Sequence, residues 1–214
     1  MKSNILIAAI LSGTFLSACN EGSKSTTATS KDSLSMDTHD HSKETGDHSH
    51  ETMNMNGMME KMKEAKMTGD PDYDFANMMI IHHEGAVDMA EEEVKKGTDL
   101  KLKTMAQVMI TSQLAEIQQF RDFLKSHKIV KTNTTPHDMA GMDDMMKKMM
   151  NIKMTGDTDM DFAKMMIPHH EGAVIMSKDY IQHGKSAELK KMAQKIIVDQ
   201  EKEIGEMRSW LAGN

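Results

Sequence analysis

A shortage of cysteine is the first feature of this 214-residue sequence, which contains one, Cys19. A single cysteine excludes a disulfide within the chain, and acylation of its sulfur would also exclude a metal site built on thiolate. Basic residues are fewer than acidic ones, 26 against 33, and the formal net charge is −7. A nucleic-acid-binding surface needs clustered Lys and Arg, so the charge argues against nucleic acid as a partner.

Aromatic residues and long apolar runs are also scarce. The chain has one Trp, two Tyr and five Phe, set against 26 methionines and 11 histidines. Thioether and imidazole groups therefore take over part of the space that aromatic side chains fill in most cores. Beyond the N-terminus we expect no membrane span, because no apolar run there is long enough. The overall composition is typical of one globular domain with polar segments.

Residues 1–18 have the features of a lipoprotein signal peptide. Lys2 gives a positive start, and the apolar stretch within residues 5–16 is too short to remain as a membrane-spanning helix. The sequence L-S-A-C that ends at Cys19 resembles a bacterial lipobox, in which the cysteine is lipidated and becomes the mature N-terminus. We expect a protein of the bacterial cell envelope that is anchored to a membrane through Cys19 and faces the periplasm or the cell surface. An ordinary secreted protein is the alternative.

Residues 19–53 are rich in Ser, Thr, Lys, Asp and His and contain almost no apolar side chains. Such a segment cannot bury enough surface to fold, so we expect a disordered tether between the lipid and the folded domain. Short His-rich tracts are typical of metal capture, although a solvated linker that contains histidine by chance is equally open. The tether histidines in question are His39, His41, His48 and His50.

The remainder, residues 54–214, is a tandem repeat. Aligning residues 54–124 with 141–211 without a gap gives 36 identities in 71 positions. The repeat halves are 54–126 and 141–214, and the linker over 127–140 contains Pro136, which disfavours helix at the residue before it. A match of this length predicts that both halves adopt the same structure.

Each half is predicted to contain three helices. Methionines at helical spacing form a short first helix. The T-G-D sequences of residues 68–70 and 155–157 end it and supply a cap for the next helix. The second helix ends at Gly97 or Gly184, and the third runs from about residue 100 to 124, or 187 to 211. No segment alternates convincingly with period two. The fold class is therefore all-α, an antiparallel four-helix bundle with pseudo-twofold symmetry and with the short Met-rich helices packed on it.

Helical geometry places paired histidines near the core of this bundle. With about 100° of rotation per residue, His82 falls within the buried stripe that contains Phe75, His83 falls at its edge, and Glu84 points to solvent. Methionines one turn before each histidine allow each half to present imidazole and thioether on one surface. The candidate metal ligands are His82, His83, His169, His170, Met78, Met79, Met89, Met165, Met166 and Met176.

The third helix adds polar side chains to the same core. Gln113 and Glu116 fall within its apolar face, as do Gln200 and Glu203 in the second half. A buried carboxylate is costly unless it is paired, so each glutamate needs a partner across the bundle, and the histidines are the candidates. Each glutamate could accept a hydrogen bond from an imidazole whose other nitrogen binds a metal, or could bind the metal itself.

Three interpretations of this pattern are open. Methionines at helical spacing can be ordinary core residues, which we favour for Met105, Met109, Met192 and Met207. The four histidines can form a polar core network with Glu and Gln that binds no ligand. Alternatively, thioether and imidazole form a soft-metal site, and Cu(I) is the ion that suits them, whereas magnesium and calcium require oxygen ligands. The methionine excess and the His-rich tether favour this last interpretation.

An enzyme is the less favoured class of function. A di-iron carboxylate bundle with oxidase activity would share the fold, but it needs Glu-x-x-His, which neither half contains. Only two core carboxylates are predicted, and no serine or cysteine lies in a nucleophile motif. We therefore expect no catalytic residues.

The sequence F-A-x-M-M-I-x-H-H-E-G-A-V-x-M occurs at residues 75–89 and 162–176, followed by M-A-Q and Q-x-x-E-I. These motifs resemble the domain-of-unknown-function family numbered 305. The resemblance covers about residues 58–211, and the family pattern contains two such halves, so the repeats form one domain. It implies a ferritin-like helical bundle, and some relatives are periplasmic copper-binding proteins implicated in copper resistance that use Met and His. The four paired histidines match the family's positions.

One difference between the copies affects the motif itself, since Pro168 stands where the first half has Ile81. Proline inside a helix removes a backbone hydrogen bond and tends to kink the helix, so the halves are expected to present their histidines unequally. Together these features predict an envelope lipoprotein that binds copper, as Cu(I), in storage, chaperoning or resistance. Its partners would be the membrane and a protein that donates or accepts copper. A structural or protein-interaction module without metal and a di-metal oxidase are the alternatives.

Overall fold

The structure, a computed structural model, describes residues 50–131 and 140–214, with side chains described for 57–131 and 142–214. Within these ranges there are six helices and no strand, which confirms the all-α fold. The first begins at His50, ahead of the predicted domain start at residue 54. The helices are α1 (His50–Glu64), α2 (Pro71–Lys96), α3 (Leu100–Ser126), α4 (Ala140–Met150), α5 (Thr158–His183) and α6 (Ala187–Gly213). None of them combines the length and apolar character needed to cross a membrane.

Local sequence explains where the helices that carry the histidines begin. Asp70 and Asp157 are the N-caps of α2 and α5. The Asp70 side chain accepts hydrogen bonds from the N–H groups of residues 72 and 73, and that of Asp157 accepts one from the N–H of residue 160. Gly69 and Gly156 precede them at φ of 81° and 83°, a left-handed conformation that glycine adopts without a Cβ clash. Pro71 occupies the first turn of α2, where no N–H donor is required. The T-G-D sequence is thus a helix start.

The order of contacts gives the topology. Connections of three residues join α2 to α3 and α5 to α6, so each pair is an antiparallel hairpin. Contacts between α2 and α5 join the two hairpins, and α1 packs on α2 as α4 packs on α5. Phe75, at the start of α2, stacks on Tyr180, near the end of α5, with ring centroids 4.0 Å apart. Therefore α2 and α5 also run antiparallel, consistent with the predicted bundle.

Two aspartates connect the halves reciprocally. Asp72, in the first turn of α2, accepts hydrogen bonds from the Tyr180 hydroxyl at 2.7 Å and from the backbone N–H groups of residues 185 and 186. Asp159, in the first turn of α5, accepts bonds from the backbone and hydroxyl of Thr98 and from the N–H of residue 99. Because each helix start holds the loop of the other half, the repeat produces a pseudo-twofold arrangement.

The apolar core consists of two clusters, and each contains residues from all four long helices. Phe75, Phe120 and Ile196 lie in one, and Leu102, Phe162 and Met207 lie in the other. The methionines interpreted as ordinary core residues are buried in these clusters: Met105, Met109, Met192 and Met207.

Candidate metal centre

The four paired histidines meet where α2 and α5 cross the centre of the bundle. All four are fully buried. The rings of His82 and His169 are in contact, with centroids 3.7 Å apart, and the centroids within each pair are 6.2 Å apart. His83, predicted at the edge of the buried stripe, is covered by α3, which brings the Phe120 ring to 6.0 Å from its own. The structure thus forms one histidine group from two distant copies of the motif.

Each second histidine pairs with the glutamate that the sequence placed in the core. The Nε2 atom of His83 lies 2.9 Å from Oε2 of Glu116, and that of His170 lies 2.7 Å from Oε2 of Glu203, which confirms the predicted pairs. Burial raises the pKa of Glu116, but hydrogen bonds from His83 and Lys195 outweigh it, and the net pKa is below the usual value. An ionised carboxylate can only accept a hydrogen bond, so the Nε2 atom of His83 carries the hydrogen.

This arrangement leaves the other ring nitrogen available. Nε2 of His82 donates to the carbonyl oxygen of His169 at 3.1 Å. The Nδ1 atoms of all four histidines are buried and have no hydrogen-bond partner among the described residues. An unsatisfied buried polar atom costs about 1–3 kcal/mol, so such a concentration of them favours a bound ligand. A neutral imidazole nitrogen with a free lone pair is a metal ligand.

Burial also sets the protonation state of the central pair. The pKa values of His82 and His169 lie well below the ordinary value, because burial disfavours the charged ring and the neighbouring histidines add repulsion. Both rings are therefore neutral at pH 7. Metal binding requires the neutral form, so protons do not compete strongly for these nitrogens at neutral pH.

At the paired histidines, His and acidic side chains alone do not form a complete metal site. Within the described ranges, one group of three His or acidic residues has its ligand atoms within 4.8 Å of one another. It consists of Asp70, Asp72 and His127. Those side chains have structural partners: Asp70 caps α2 and accepts a bond from His127 Nε2 at 2.8 Å, and Asp72 holds the loop after α5. A metal at the paired histidines needs a further ligand type, and thioether is the type that the same helices carry.

Thioethers form a third cluster, which we call the methionine cluster, between the short helices and the outer faces of α2 and α5. Its buried members are Met58, Met59, Met62, Met78, Met142, Met145, Met149 and Met165. Of the predicted ligands, Met78 and Met165 belong to it, and Met89 and Met176 pack partly buried against it. Met79 and Met166 instead point into the apolar core clusters. The predicted ligand set omitted the methionines of α1 and α4, although their helical spacing was the available signal.

The glycine of H-H-E-G-A brings this cluster onto the helix backbone. A Cβ atom on Gly85 would overlap Sδ of Met58, and one on Gly172 would lie 2.7 Å from Sδ of Met145. Only glycine permits both contacts without displacement of the methionine. The two sulfur atoms therefore lie against α2 and α5 three residues after the first histidine of each pair.

The glutamate of the motif holds the short helices in place. Glu84, predicted to be solvated, is about one third exposed and forms ion pairs with Lys61 of α1 at 3.4 Å and Arg121 of α3 at 2.8 Å. Surface pairs of this kind contribute up to about 1 kcal/mol each. The second half repeats both pairs with Glu171, Lys148 and Arg208. The H-H-E-G sequence thus combines imidazoles in the core, an ion-paired carboxylate at the surface, and space for a thioether.

Some predicted residues have other positions. Gln113 and Gln200 are buried one turn before the core glutamates, and their amide oxygens have no donor among the described side chains. Cys19 and three tether histidines, His39, His41 and His48, lie outside the described residues, and His50 begins α1 without a described side chain. The lipid anchor and the tether histidines stay predictions.

Comparison with solved structures places CopM among the similar proteins. CopM in its Cu(I)-bound form is 26% identical, with a TM-score of 0.51, and the match covers 66% of this chain and 96% of that one. For the Cu(II)-bound form the identity is 29%, the TM-score 0.52 and the coverage 66% and 97%. CopM has also been solved with silver.

Other relatives extend the comparison. A DUF305 protein of Streptomyces coelicolor is 24% identical with a TM-score of 0.55 over 69% of this chain and 95% of that one, which shows the fold alone. Uncharacterized protein L153 of Acanthamoeba polyphaga mimivirus is 42% identical over 53 residues, 25% of this chain and 35% of that protein's length. The family model "Domain of unknown function (DUF305)" matches residues 15–124 and 125–211. The chain belongs to the DUF305 family.

Proposed function

We propose that this protein binds Cu(I) between its paired histidines and its methionine cluster, and that it serves copper storage, chaperoning or resistance in the cell envelope. One observation carries the proposal: buried imidazole nitrogens without partners lie on the same two helices whose outer faces pack against a cluster of thioethers. Thioether with imidazole selects a soft ion, whereas magnesium and calcium require oxygen ligands.

The core glutamates prepare the histidines for this role. A carboxylate that accepts the Nε2 hydrogen fixes the ring orientation and makes Nδ1 a better electron donor to a metal. Glu116 acts on His83 in this way and Glu203 on His170. The central rings of His82 and His169 need no such carboxylate to stay neutral, because burial has already lowered their pKa values.

The short helices form the side of the site that can respond to the metal. They are joined to the bundle mainly through methionine side chains and through the surface pairs Lys61–Glu84 and Lys148–Glu171. Methionine is flexible and its thioether adapts to varied partners, so the cluster can repack around an ion at low cost. In this proposal the tether histidines capture copper weakly and the bundle holds it.

The CopM structures support a copper-related role, since that protein was solved with Cu(I), Cu(II) and silver and is 26–29% identical to this chain. Silver is a soft monovalent ion like Cu(I). The proposed location is a lipid-anchored position on the periplasmic or outer face of a membrane, which rests on the lipobox at Cys19.

The first test measures metal retained by the full chain. The protein is loaded anaerobically with Cu(I), Cu(II), Zn(II) or Fe(II) in separate samples and dialysed against a competing chelator. We expect Cu(I) to be retained, and to be lost when His82 and His169 are changed to alanine. Deletion of residues 20–49 should reduce retention far less. An alanine substitution of the exposed His183 is the matched control.

Methionine variants test the other ligand type. Met58→Leu with Met145→Leu keeps the volume and removes two thioethers of the methionine cluster, and we expect much weaker Cu(I) retention. Met105→Leu with Met109→Leu, in the apolar core, should leave retention unchanged. Retention of no metal by the wild-type chain would support the structural or protein-interaction alternative. Oxygen-dependent turnover of Fe(II) would support the oxidase alternative.

A further inference from the structure

Glu93 and Tyr180 occupy the same position in the two halves, in the last turns of α2 and α5. Both are buried, Glu93 completely. The Tyr180 hydroxyl donates to Asp72 at 2.7 Å, which joins the end of α5 to the start of α2. The matching acceptor in the other half is Asp159, whose carboxylate binds Thr98 and the N–H of residue 99, directly after the Gly97 against which the Glu93 carboxyl group packs.

A bond between two carboxyl groups requires a proton. Neither oxygen of Glu93 receives a hydrogen bond from the described residues. Asp159 accepts bonds from the backbone and hydroxyl of Thr98 and from the N–H of residue 99, and these donors stabilise its charged form. Of the two carboxyl groups, Glu93 is therefore the one suited to hold a proton, in the position from which the Tyr180 hydroxyl donates to Asp72 in the other half.

The surroundings of Glu93 are built for an uncharged side chain. A Cβ atom on Gly97, the residue after α2, would overlap Oε1 of Glu93, so this glycine leaves the space that the carboxyl group fills. The charged groups that face it are Asp159 from α5 and Asp99 and Lys103 from the start of α3. Lys103 Nζ is engaged with the carbonyl oxygen of Gly97 at 2.9 Å, which leaves two carboxylates beside Glu93 against one committed cation.

We propose that Glu93 and Asp159 share one proton and form a pH-sensitive joint between the two halves of the bundle. The joint is intact while Glu93 is protonated and is weakened when Glu93 ionises, because two buried carboxylates then face each other. Burial, followed by the bond to Asp159, raises the pKa of Glu93 to about 8. At the equivalent joint, burial and Asp72 raise the pKa of the Tyr180 hydroxyl, so the donor there keeps its proton throughout this range.

The sign of the pH effect follows from the raised pKa. Between the ordinary value of 4.5 and about 8, the folded chain keeps a proton that the unfolded chain has lost. Stability therefore falls as the pH rises through this window and levels off above it. One proton changes the unfolding equilibrium constant by at most about tenfold per pH unit.

Urea unfolding of the full chain from pH 5 to 9 tests the joint. Glu93→Gln keeps a hydrogen donor but cannot ionise. The ratio of its unfolding constant to that of the wild type should therefore fall by up to about tenfold per pH unit between pH 5 and 8. Tyr180→Phe is the matched variant in the other half, and its unfolding constant should rise about two- to tenfold at every pH. Parallel pH profiles for wild type and Glu93→Gln would overturn the proposal.

A second measurement needs no variant. In the wild-type full chain labelled with carbon-13 at the glutamate carboxyl groups, the resonance of Glu93 should titrate near pH 8. Titration of every glutamate below about pH 6 would contradict the shared proton.

Discussion

The two halves of the bundle carry the same motif but surround it differently. In the first half both oxygens of Glu116 are engaged, one by His83 and the other by Lys195 of α6 at 2.9 Å, and the side chain is 9% exposed. In the second half Val108 occupies the position equivalent to Lys195, and Glu203 is 15% exposed with His170 as its partner. The core glutamate is thus more enclosed in the first half than in the second.

The central histidines differ as well. Nε2 of His82 donates to the backbone carbonyl of His169 at 3.1 Å, whereas the reciprocal contact of the His169 ring with the His82 backbone is looser. This inequality agrees with the prediction made from Pro168, which lies inside α5 without ending it. A repeat can therefore conserve ligand types while the bonds that tune each ligand diverge, so the two halves need not hold a metal with equal strength.

Substitution of the core glutamates should have the largest effect on stability and should reveal the difference between the two halves most clearly. Glu116→Ala leaves the buried N–H of His83 without an acceptor and Lys195 with Asp199 alone, and we expect a loss of about 3 kcal/mol in the free energy of unfolding. Glu203→Ala should cost about 1–2 kcal/mol, because its more exposed site admits water to His170. Urea unfolding at pH 7 measures both, and equal losses would show that the halves are energetically equivalent.

Acid should act through the central histidines. Their lowered pKa values mean that, below about pH 6.5, the unfolded chain takes up protons that the folded chain does not, so stability falls as the pH falls. Each ring contributes at most about 1.4 kcal/mol per pH unit. The measurement is urea unfolding between pH 7.5 and 5 in a Glu93→Gln background, which removes the opposite contribution of that carboxyl group.

Single His82→Gln and His169→Gln variants divide this acid effect between the halves. Each should remove part of the slope, because each ring contributes its own share of the proton uptake on unfolding. A slope that neither variant changes would show that other groups cause the acid sensitivity.

The substitutions Lys195→Val and Val108→Lys should have the smallest effect on stability. Lys195→Val should cost no more than about 1 kcal/mol, because more than half of the lysine side chain is exposed to solvent. Val108→Lys should supply Glu203 with a similar cation. If Lys195 contributes to the enclosure of the first half, hydrogen exchange of the His83 ring should quicken in Lys195→Val, and that of the His170 ring should slow in Val108→Lys. Unchanged exchange in both would show that Lys195 does not enclose the first half.

Much of the fold follows from local sequence. The caps at Asp70 and Asp157 and the glycines at 97 and 184 mark the helix ends, and the apolar face of α3 identified Glu116 as a buried side chain in need of a partner. These features depend on one helix at a time, which is why periodicity and capping chemistry detect them.

Contacts between helices were harder to predict. His83 is buried because α3 covers it. Met78 and Met79 belong to different clusters because different helices pack on the two sides of α2. The proposed pairing of Glu93 with Asp159 joins residues from different halves, and the repeat hides it because the equivalent of Glu93 is Tyr180. A single-helix pattern contains none of this information.

X-ray absorption of Cu(I) bound to the full chain is the most direct test of copper binding by the histidines and the methionine cluster, since it identifies the ligand atoms themselves. We expect sulfur and imidazole nitrogen together around copper, with the sulfur signal reduced in Met58→Leu with Met145→Leu and kept in Met105→Leu with Met109→Leu. A spectrum with nitrogen and oxygen ligands and no sulfur would contradict a mixed thioether and imidazole site.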